Sequence, residues 1–409
     1  MYLVLTSIII SYITWIYLKN KRKSPERILG IYSVKGKWFY LKYVTMLLML
    51  TLRKFSSKRN KSGMGYGVGS TNDLEKIRKE IKVAWDKKAF DAVFYHGVSK
   101  SGYYFVGGIE RRHNNKVNGL AYLLTPKLGL LHSEHIPKTE LPADVDMKNS
   151  FAGGGLSFTP ITPMERWDIS YTGKMWKGEE AEKKWHNVKF EAKFTSNLPH
   201  FVVDTDSDRK ALARALAREK WTKEFFEVLE KAHQTHYEQM GTITARLTID
   251  DQTEDIELMG FRDHSFGNKR DWTLLHRYIF HMFYMDDNTR ICCGVISQPC
   301  SISHFEIGYV IHEDKQIHPI QECDLMLYQH GEDGNPPKQL AFSFVSNNES
   351  YDCKITYLHD SVHYKGSDIE AKLYERFFTC EVNGRRGKGI SEWHYNNMKT
   401  YTRDNSHVH

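Results

Sequence analysis

Between Gly260 and Arg277 the chain reads Gly-Phe-Arg-Asp-His-Ser-Phe-Gly-Asn-Lys-Arg-Asp-Trp-Thr-Leu-Leu-His-Arg, a short stretch crowded with groups that can move or hold a proton. An Arg-Asp-His triplet can act as an acid/base unit. The carboxylate raises the basicity of the imidazole and fixes its tautomer, while a guanidinium keeps the carboxylate ionised. Asp263 and His264 are the candidate pair here, with Arg262 or Arg270 as the cation. The same residues could instead form ion pairs that brace the end of a β-barrel, since structural networks perturb titration as catalytic ones do.

The residues that follow extend the site. Strand alternation after Trp272 places His276, Tyr278, Phe280, Met282 and Tyr284 on one face, and Arg277, Ile279, His281, Phe283 and Met285 on the other. Whichever face looks into a barrel lumen would line an aromatic cavity with a polar group at its mouth, suited to a long apolar ligand. Two later runs, Tyr374-Glu375-Arg376 and Glu392-Trp393-His394-Tyr395, add carboxyl groups to that mouth. A carboxyl in aromatic surroundings has a raised pKa and can donate a proton near neutrality, so Glu375 is the candidate donor. Trp272, His276, Tyr278, Arg270 and Tyr374 are the candidate ligand contacts. This equipment suits adding water to, or moving, a carbon–carbon double bond without a cofactor; buried ion pairs are the alternative use of the same charges.

Other chemistries find less support. No Gly-x-Ser-x-Gly elbow is present, which argues against covalent hydrolysis. Gly63, Gly65, Gly67 and Gly69 alternate, but no Gly-Lys-Ser/Thr follows, so they read as a flexible linker rather than a phosphate cradle. His233 and His236 stand three apart near the end of a helical pattern. A metal would need a third ligand from elsewhere, so packing or capping is expected and no metal is assigned.

These residues must be positioned by a mostly β chain. From Asp91 onward, short aromatic and β-branched runs alternate with Gly, Pro and Asn, as in antiparallel sandwiches or barrels. Gly153–Gly155 marks a bulge or a tight bend at a barrel corner. A helical stretch from Ser207 to about Tyr237, with Thr222 able to cap its second helix, separates two β halves. Two barrels or sandwiches joined by a helical linker are therefore expected, with a first β domain over 71–206, the linker over 207–240, a second β domain over 241–398 and a tail over 399–409. All six cysteines lie between Cys292 and Cys380 without metal-like or paired spacing, and are expected to be reduced core thiols.

The charge is unevenly placed. The whole chain carries +7, yet residues 1–61 hold thirteen Lys/Arg and one acid, Glu26, which leaves 62–409 at −5. A mildly acidic body argues against nucleic acid as partner. Residues 1–18 contain no charged side chain and are followed by Lys19, Lys21, Arg22 and Lys23. This reads as a retained single-pass anchor just long enough for a thin bilayer such as that of the endoplasmic reticulum, with the body facing the cytosol. The segment 19–70 reads as basic and interfacial, and its apolar patch Tyr43–Leu52 suits a helix lying on anionic headgroups. Membrane lipids and an apolar small molecule are the expected partners.

The motif Gly260-Phe-Arg-Asp-His-Ser-Phe-Gly with Arg270-Asp271-Trp272, then Val295-Ile-Ser-Gln-Pro299, Gly308-Tyr-Val-Ile311 and Tyr374-Glu-Arg-Phe377, resembles the front module of invertebrate phosphoenolpyruvate synthase-like proteins. Those longer chains carry nucleotide-grasp and phosphohistidine domains that do not start within this sequence, so phosphotransfer is not expected. More distantly, Arg-Asp-His-Ser-x-Gly…Arg-Asp-Trp resembles the double-lipocalin (calycin) superfamily of carotenoid 1,2-hydratases. That resemblance implies two lipocalin-like antiparallel barrels, an elongated apolar cavity, and either cofactor-free hydratase or isomerase chemistry or lipid carriage. Asp263, His264 and Trp272 are the positions that match the motif.

Overall fold

The computed structural model describes residues 25–59, 74–75, 88–144, 150–178, 182–231, 234–366 and 368–398, with Ser11, Tyr12 and Trp15. The expected anchor over 1–18 (apart from those three residues), the glycine-rich linker and the tail over 399–409 lie outside them. Among the described residues no helix is long and apolar enough to cross a membrane.

Strands are β1 (Phe90–Val98), β2 (Tyr104–Arg111), β3 (Lys116–Thr125), β4 (Gly129–Ser133), β5 (Lys138–Pro142), β6 (Phe151–Gly153), β7 (Leu156–Thr162), β8 (Arg166–Lys177), β9 (Lys184–Thr195), β10 (His200–Val202), β11 (Thr235–Ile249) and β12 (Gln252–Gly267). After them come β13 (Arg277–Met285), β14 (Arg290–Gln298), β15 (Ile302–Ile311), β16 (Ile317–Cys323), β17 (Gln339–Ser346), β18 (Glu349–Lys365), β19 (Ala371–Val382) and β20 (Arg385–Asn396). The first twelve form one sheet, and β13 to β20 close into an antiparallel barrel in chain order, β20 pairing back onto β13. In the first sheet β9 pairs with both β8 and β11, so the run β11-β12-β1-β2-β3-β4-β8-β9 returns on itself.

Side-chain alternation explains where each core sits. In β9, His186, Val188, Phe190, Ala192 and Phe194 are buried and the residues between them face water, the signature of a one-sided strand. In β13 nearly every position is buried. Its odd-numbered residues Ile279, Phe283 and Met285 fill the barrel lumen with Val295, Phe342, Phe378 and Trp393. Its even-numbered residues Met282 and Tyr284 pack outward, with Phe305, Ile307 and Phe377, against Val98, Tyr104, Val106, Met240 and Phe261 of the first sheet. The two sheets are thus joined by an apolar seam. Two of the buried hydroxyls in it are paired: Tyr284 Oη lies 2.9 Å from His96 Nδ1, and Tyr104 Oη donates to the Phe378 carbonyl at 3.1 Å.

Among the described residues four helices flank the seam: α1 (Phe39–Arg59), α2 (Val203–Asp206), α3 (Arg209–Arg218) and α4 (Lys223–Lys231). Asp208 caps α3 by accepting from the Ala211 N–H at 2.8 Å, and Thr222 accepts from Phe225 N–H at 3.1 Å as expected for the start of α4. Buried Ala213 and Leu216 of α3 meet Met46 of α1 and Phe225 of α4. The expected interfacial helix is therefore longer than its apolar core and is docked on α3.

Three expectations change. The helical stretch does not separate the two sheets: β11 begins at Thr235, and β11 and β12 return to pair with β9 and β1 in the first sheet. Order along the chain did not reveal this, because strand partners are chosen in space. Gly154 (φ 62°) and Gly155 (φ 84°) form the two-residue turn of the β6–β7 hairpin rather than a barrel corner, and a Cβ on Gly155 would overlap the Thr172 carbonyl. His236 lies on β11, not at a helix end, and His233 is outside the described residues. All six cysteines are free, and all but Cys300 are buried.

Candidate functional site

Where the seam widens, the sheets enclose a cavity of about 1280 Å³. The barrel contributes the outward face of β13 (Tyr278, Phe280, Met282) with Ile296, Phe305 and Ile307; the first sheet contributes Phe94, Leu120 and Phe261; α1, α3 and α4 supply Met46, Met49, Leu212, Leu216 and Phe226. The cavity is therefore outside the barrel and not in its lumen, which is packed. The face holding Tyr278, Phe280 and Met282 is the one that lines it, because the opposite face is consumed by the lumen.

Strand alternation also divides the Arg-Asp-His triplet. Asp263 on β12 faces the cavity with Phe261 and Ser265, whereas Arg262 and His264 point into the first sheet's interior. The expected Asp263–His264 pair is not formed. His264 Nε2 is 2.7 Å from Asp91 Oδ1, and Asp91 Oδ2 accepts from Arg111 at 3.1 Å. Arg262 donates to Glu75 at 2.8 Å and to Gln239 Oε1 at 2.7 Å, and Trp167 Nε1 donates to Glu75 at 2.7 Å. Tyr237 Oη bridges Glu75 and His264 Nδ1. This fully buried network is the bracing alternative for Arg262 and His264.

Asp263 has different neighbours. His236 Nε2 lies 3.8 Å from its Oδ2 and 3.4 Å from Glu238 Oε1. The Asp263 side chain is 23 % exposed, at the cavity wall. Burial pushes its carboxyl up to about 6; His236 and Arg270 pull it down and the Glu238 and Glu392 carboxylates push it up. Burial works against the His236 imidazolium, but Glu238 and Asp263 outweigh it and hold the imidazole above its ordinary pKa. Arg270 donates to Ser265 Oγ at 2.7 Å and to Glu110 at 2.8 Å, with its guanidinium 5.5 Å from the Trp272 ring and 3.7 Å from that of Phe90. Arg270 and Trp272 thus belong to the cavity wall.

The facing barrel wall carries the second polar group. Tyr278 Oη donates a short hydrogen bond to Glu392, and Glu392 stands directly opposite Glu375 across the β19–β20 ladder. Burial, then the Glu392 carboxylate beside it, raise Glu375 well above the ordinary carboxyl range, since two adjacent carboxyls cannot both ionise cheaply. His394 stacks on Tyr278 at 4.9 Å and on Trp272 at 5.6 Å, and burial lowers it to about 3, so it packs as a neutral aromatic. His363 reaches the same cavity; burial keeps it neutral, and among the described residues neither of its nitrogens has a hydrogen-bond partner.

Two expected contacts lie elsewhere. His276 Nε2 meets Glu332 at 2.9 Å, and Glu332 also accepts from Arg277 at 2.7 Å and Tyr32 Oη at 2.8 Å, a clamp that holds the N-terminal segment on the barrel. Tyr374 points inward, with its hydroxyl on the Gly334 carbonyl at 3.2 Å and its ring against Tyr395. Sequence reasoning missed Glu238, Asp91, Glu75 and His363. Glu238 was not legible by pattern: its period-two row on β11 holds His236, Met240, Thr242 and Thr244 and reads as a largely polar face, while the apolar row is that of Tyr237, Ile243, Ala245 and Leu247. Among the described residues no group of three or more His, Cys, Asp or Glu is placed to hold a metal.

No curated protein matches the sequence. The fold is similar to an AttH-type protein from Nitrosomonas europaea (TM-score 0.47, 9 % identity, 75 % of this chain and 92 % of that one). It is also similar to kievitone hydratase from Nectria haematococca (0.41, 11 %, 78 % and 90 %) and to CghA solved with Sch210972 (0.44, 9 %, 76 % and 90 %). A sequence model matches residues 4–395, and the chain belongs to the family that it defines, a family of unknown function, DUF8627.

Proposed function

We propose that the cavity binds an isoprenoid or other lipid-like molecule and carries out cofactor-free acid/base chemistry on it, a hydration or a double-bond isomerisation. The observation that carries this is Asp263, a carboxyl titrating at about 6 on the wall of a largely apolar cavity and electrostatically coupled to Glu392 across it. A general base works best when its pKa is near the operating pH. In a hydration, the protonated member of the Glu375–Glu392 pair delivers a proton, through the Tyr278 hydroxyl, to one alkene carbon. Asp263, assisted by His236, takes a proton from the water whose oxygen bonds to the other carbon. In an isomerisation Asp263 removes an allylic proton and the carboxyl pair returns one at the far end of the allyl system. Arg262 and His264, assigned to catalysis on sequence grounds, act instead as the brace behind β12.

The competing reading is a lipid carrier. Native extraction followed by mass spectrometry of the bound small molecule separates the two, with the wild type and Asp263→Asn compared. An enzyme loses about 10²–10⁴-fold in turnover with that change while keeping its fold, and the variant retains a species that the wild type converts. Equal retention of the same unmodified lipid by both proteins establishes carriage.

A further inference from the structure

The helix at the cavity's edge has two unlike sides. One side of α1 is docked: Tyr43, Met46, Leu47 and Leu50 pack with Ala213, Leu216 and Phe225. Met46, Met49 and Leu50 reach the cavity lining itself. The other side is exposed, with the Trp15 ring 5.8 Å from that of Tyr40 at its start. Leu41, Val44, Leu48 and Leu52, spaced three and four apart, are 45 %, 53 %, 58 % and 59 % exposed, and Tyr40 and Trp38 flank them. A soluble domain scatters exposed apolar residues singly, and a continuous row marks a surface that something else covers.

Charge identifies the cover. The α1 sequence holds Arg53, Lys54, Lys58 and Arg59 and no acid, with Lys35 and Lys37 just before it; its remaining cation, Lys42, turns to the docked side and donates to the Glu219 carbonyl. A protein partner would be read by a mixed set of charges, whereas an apolar row in a segment whose sequence carries cations and no acid fits acyl chains below anionic headgroups. We propose that α1 seats on an anionic lipid surface, its outward row sunk to the level of the acyl chains and its inward row opening onto the cavity. A lipid-like molecule would then pass from the bilayer past Met49 to Asp263 without crossing water. This delivery step, though not the docking, rests on the lipid-like substrate proposed above.

Residues 1–18 are apolar and could hold the protein on vesicles by themselves, so the readout must be local to α1. A nitroxide is placed on the full-length chain at Leu48→Cys, and separately at Asp352→Cys on an exposed strand position, both in a Cys300→Ser background. Vesicles are phosphatidylcholine with or without phosphatidylserine. Docking predicts that the Leu48 label on phosphatidylserine vesicles becomes severalfold more accessible to oxygen than to an aqueous nickel chelate, and that high salt or the absence of phosphatidylserine weakens the effect. The Asp352 label stays open to the chelate. A Leu48 label that remains chelate-accessible on vesicles that carry the protein overturns the proposal. So does one that is immobilised in vesicle-free solution in proportion to protein concentration, which would assign the surface to a second copy. Neither readout depends on turnover, so failure of the enzymatic reading leaves this test standing, and the reverse.

Discussion

Asp263 is the residue at which stability and chemistry pull apart. Its carboxyl rises from 3.8 to about 6 on folding, chiefly through burial, so the folded protein binds this proton more tightly than the unfolded chain. The associated stabilisation is full below the unfolded pKa and is lost as the pH rises through the folded one. Asp263→Asn is therefore expected to raise stability at pH 7–8 by about 1–3 kcal/mol and to leave it nearly unchanged at pH 4, as read from denaturant midpoints at the two pH values. Turnover of the wild type should rise through pH 6, because the base form is the carboxylate. Arg262 behaves in the opposite way. Removing it strands Glu75 without its cation in a buried site, and Arg262→Leu should cost about 3–5 kcal/mol in urea unfolding while leaving any bound ligand's pocket walls in place. Neighbours in one motif are thus separated by the direction their side chains take. The motif was visible in the sequence; its division was available too, since alternation from Phe261 assigns Asp263 to the opposite face from Arg262 and His264. What was not available was the partner of each. Glu75 is 187 positions before Arg262 and Asp91 is 173 before His264, and no local pattern links them.

At the scale of elements, turns and caps were the most legible features because their chemistry is local. Asn383-Gly384 turns between β19 and β20 with both residues at positive φ, and Thr222 caps α4. Gly154-Gly155 follows the same rule, and its misassignment to a corner came from not seeing that three-residue β6 is a strand at all. Gly155→Ala combines a positive φ with overlap on the Thr172 carbonyl, so a loss of about 1–3 kcal/mol is expected by thermal unfolding, larger than that for Gly334→Ala, which carries the positive φ alone. Gly334 has positive φ but nothing within reach of an added Cβ, which isolates the backbone contribution. The length of β12 was less legible. Its sixteen residues do not end where the apolar run does, at Phe261: pairing with β11 on one side and β1 on the other carries the strand on through the charged triplet to Gly267.

For the whole molecule, composition and periodicity were enough for a mostly β architecture interrupted by helices, but not for its division, since those helices fall within the first sheet and not between two barrels. They did not locate the cavity, because lining a lumen and lining a seam demand the same apolar residues. The seam solution has a consequence for how the sequence can vary. Along β13, consecutive side chains answer to different requirements: Ile279, Phe283 and Met285 to a packed lumen, Tyr278, Phe280 and Met282 to whatever the cavity holds. A saturation scan read twice, once for folded abundance and once for ligand retention, should give two combs offset by one residue. Truncation of Phe283 to Ala should deplete abundance, at a cost of about 3–5 kcal/mol, and truncation of Phe280 should chiefly alter which ligand is retained. Selection for a new ligand could then rewrite every second letter of one strand while the barrel it belongs to stays as it was.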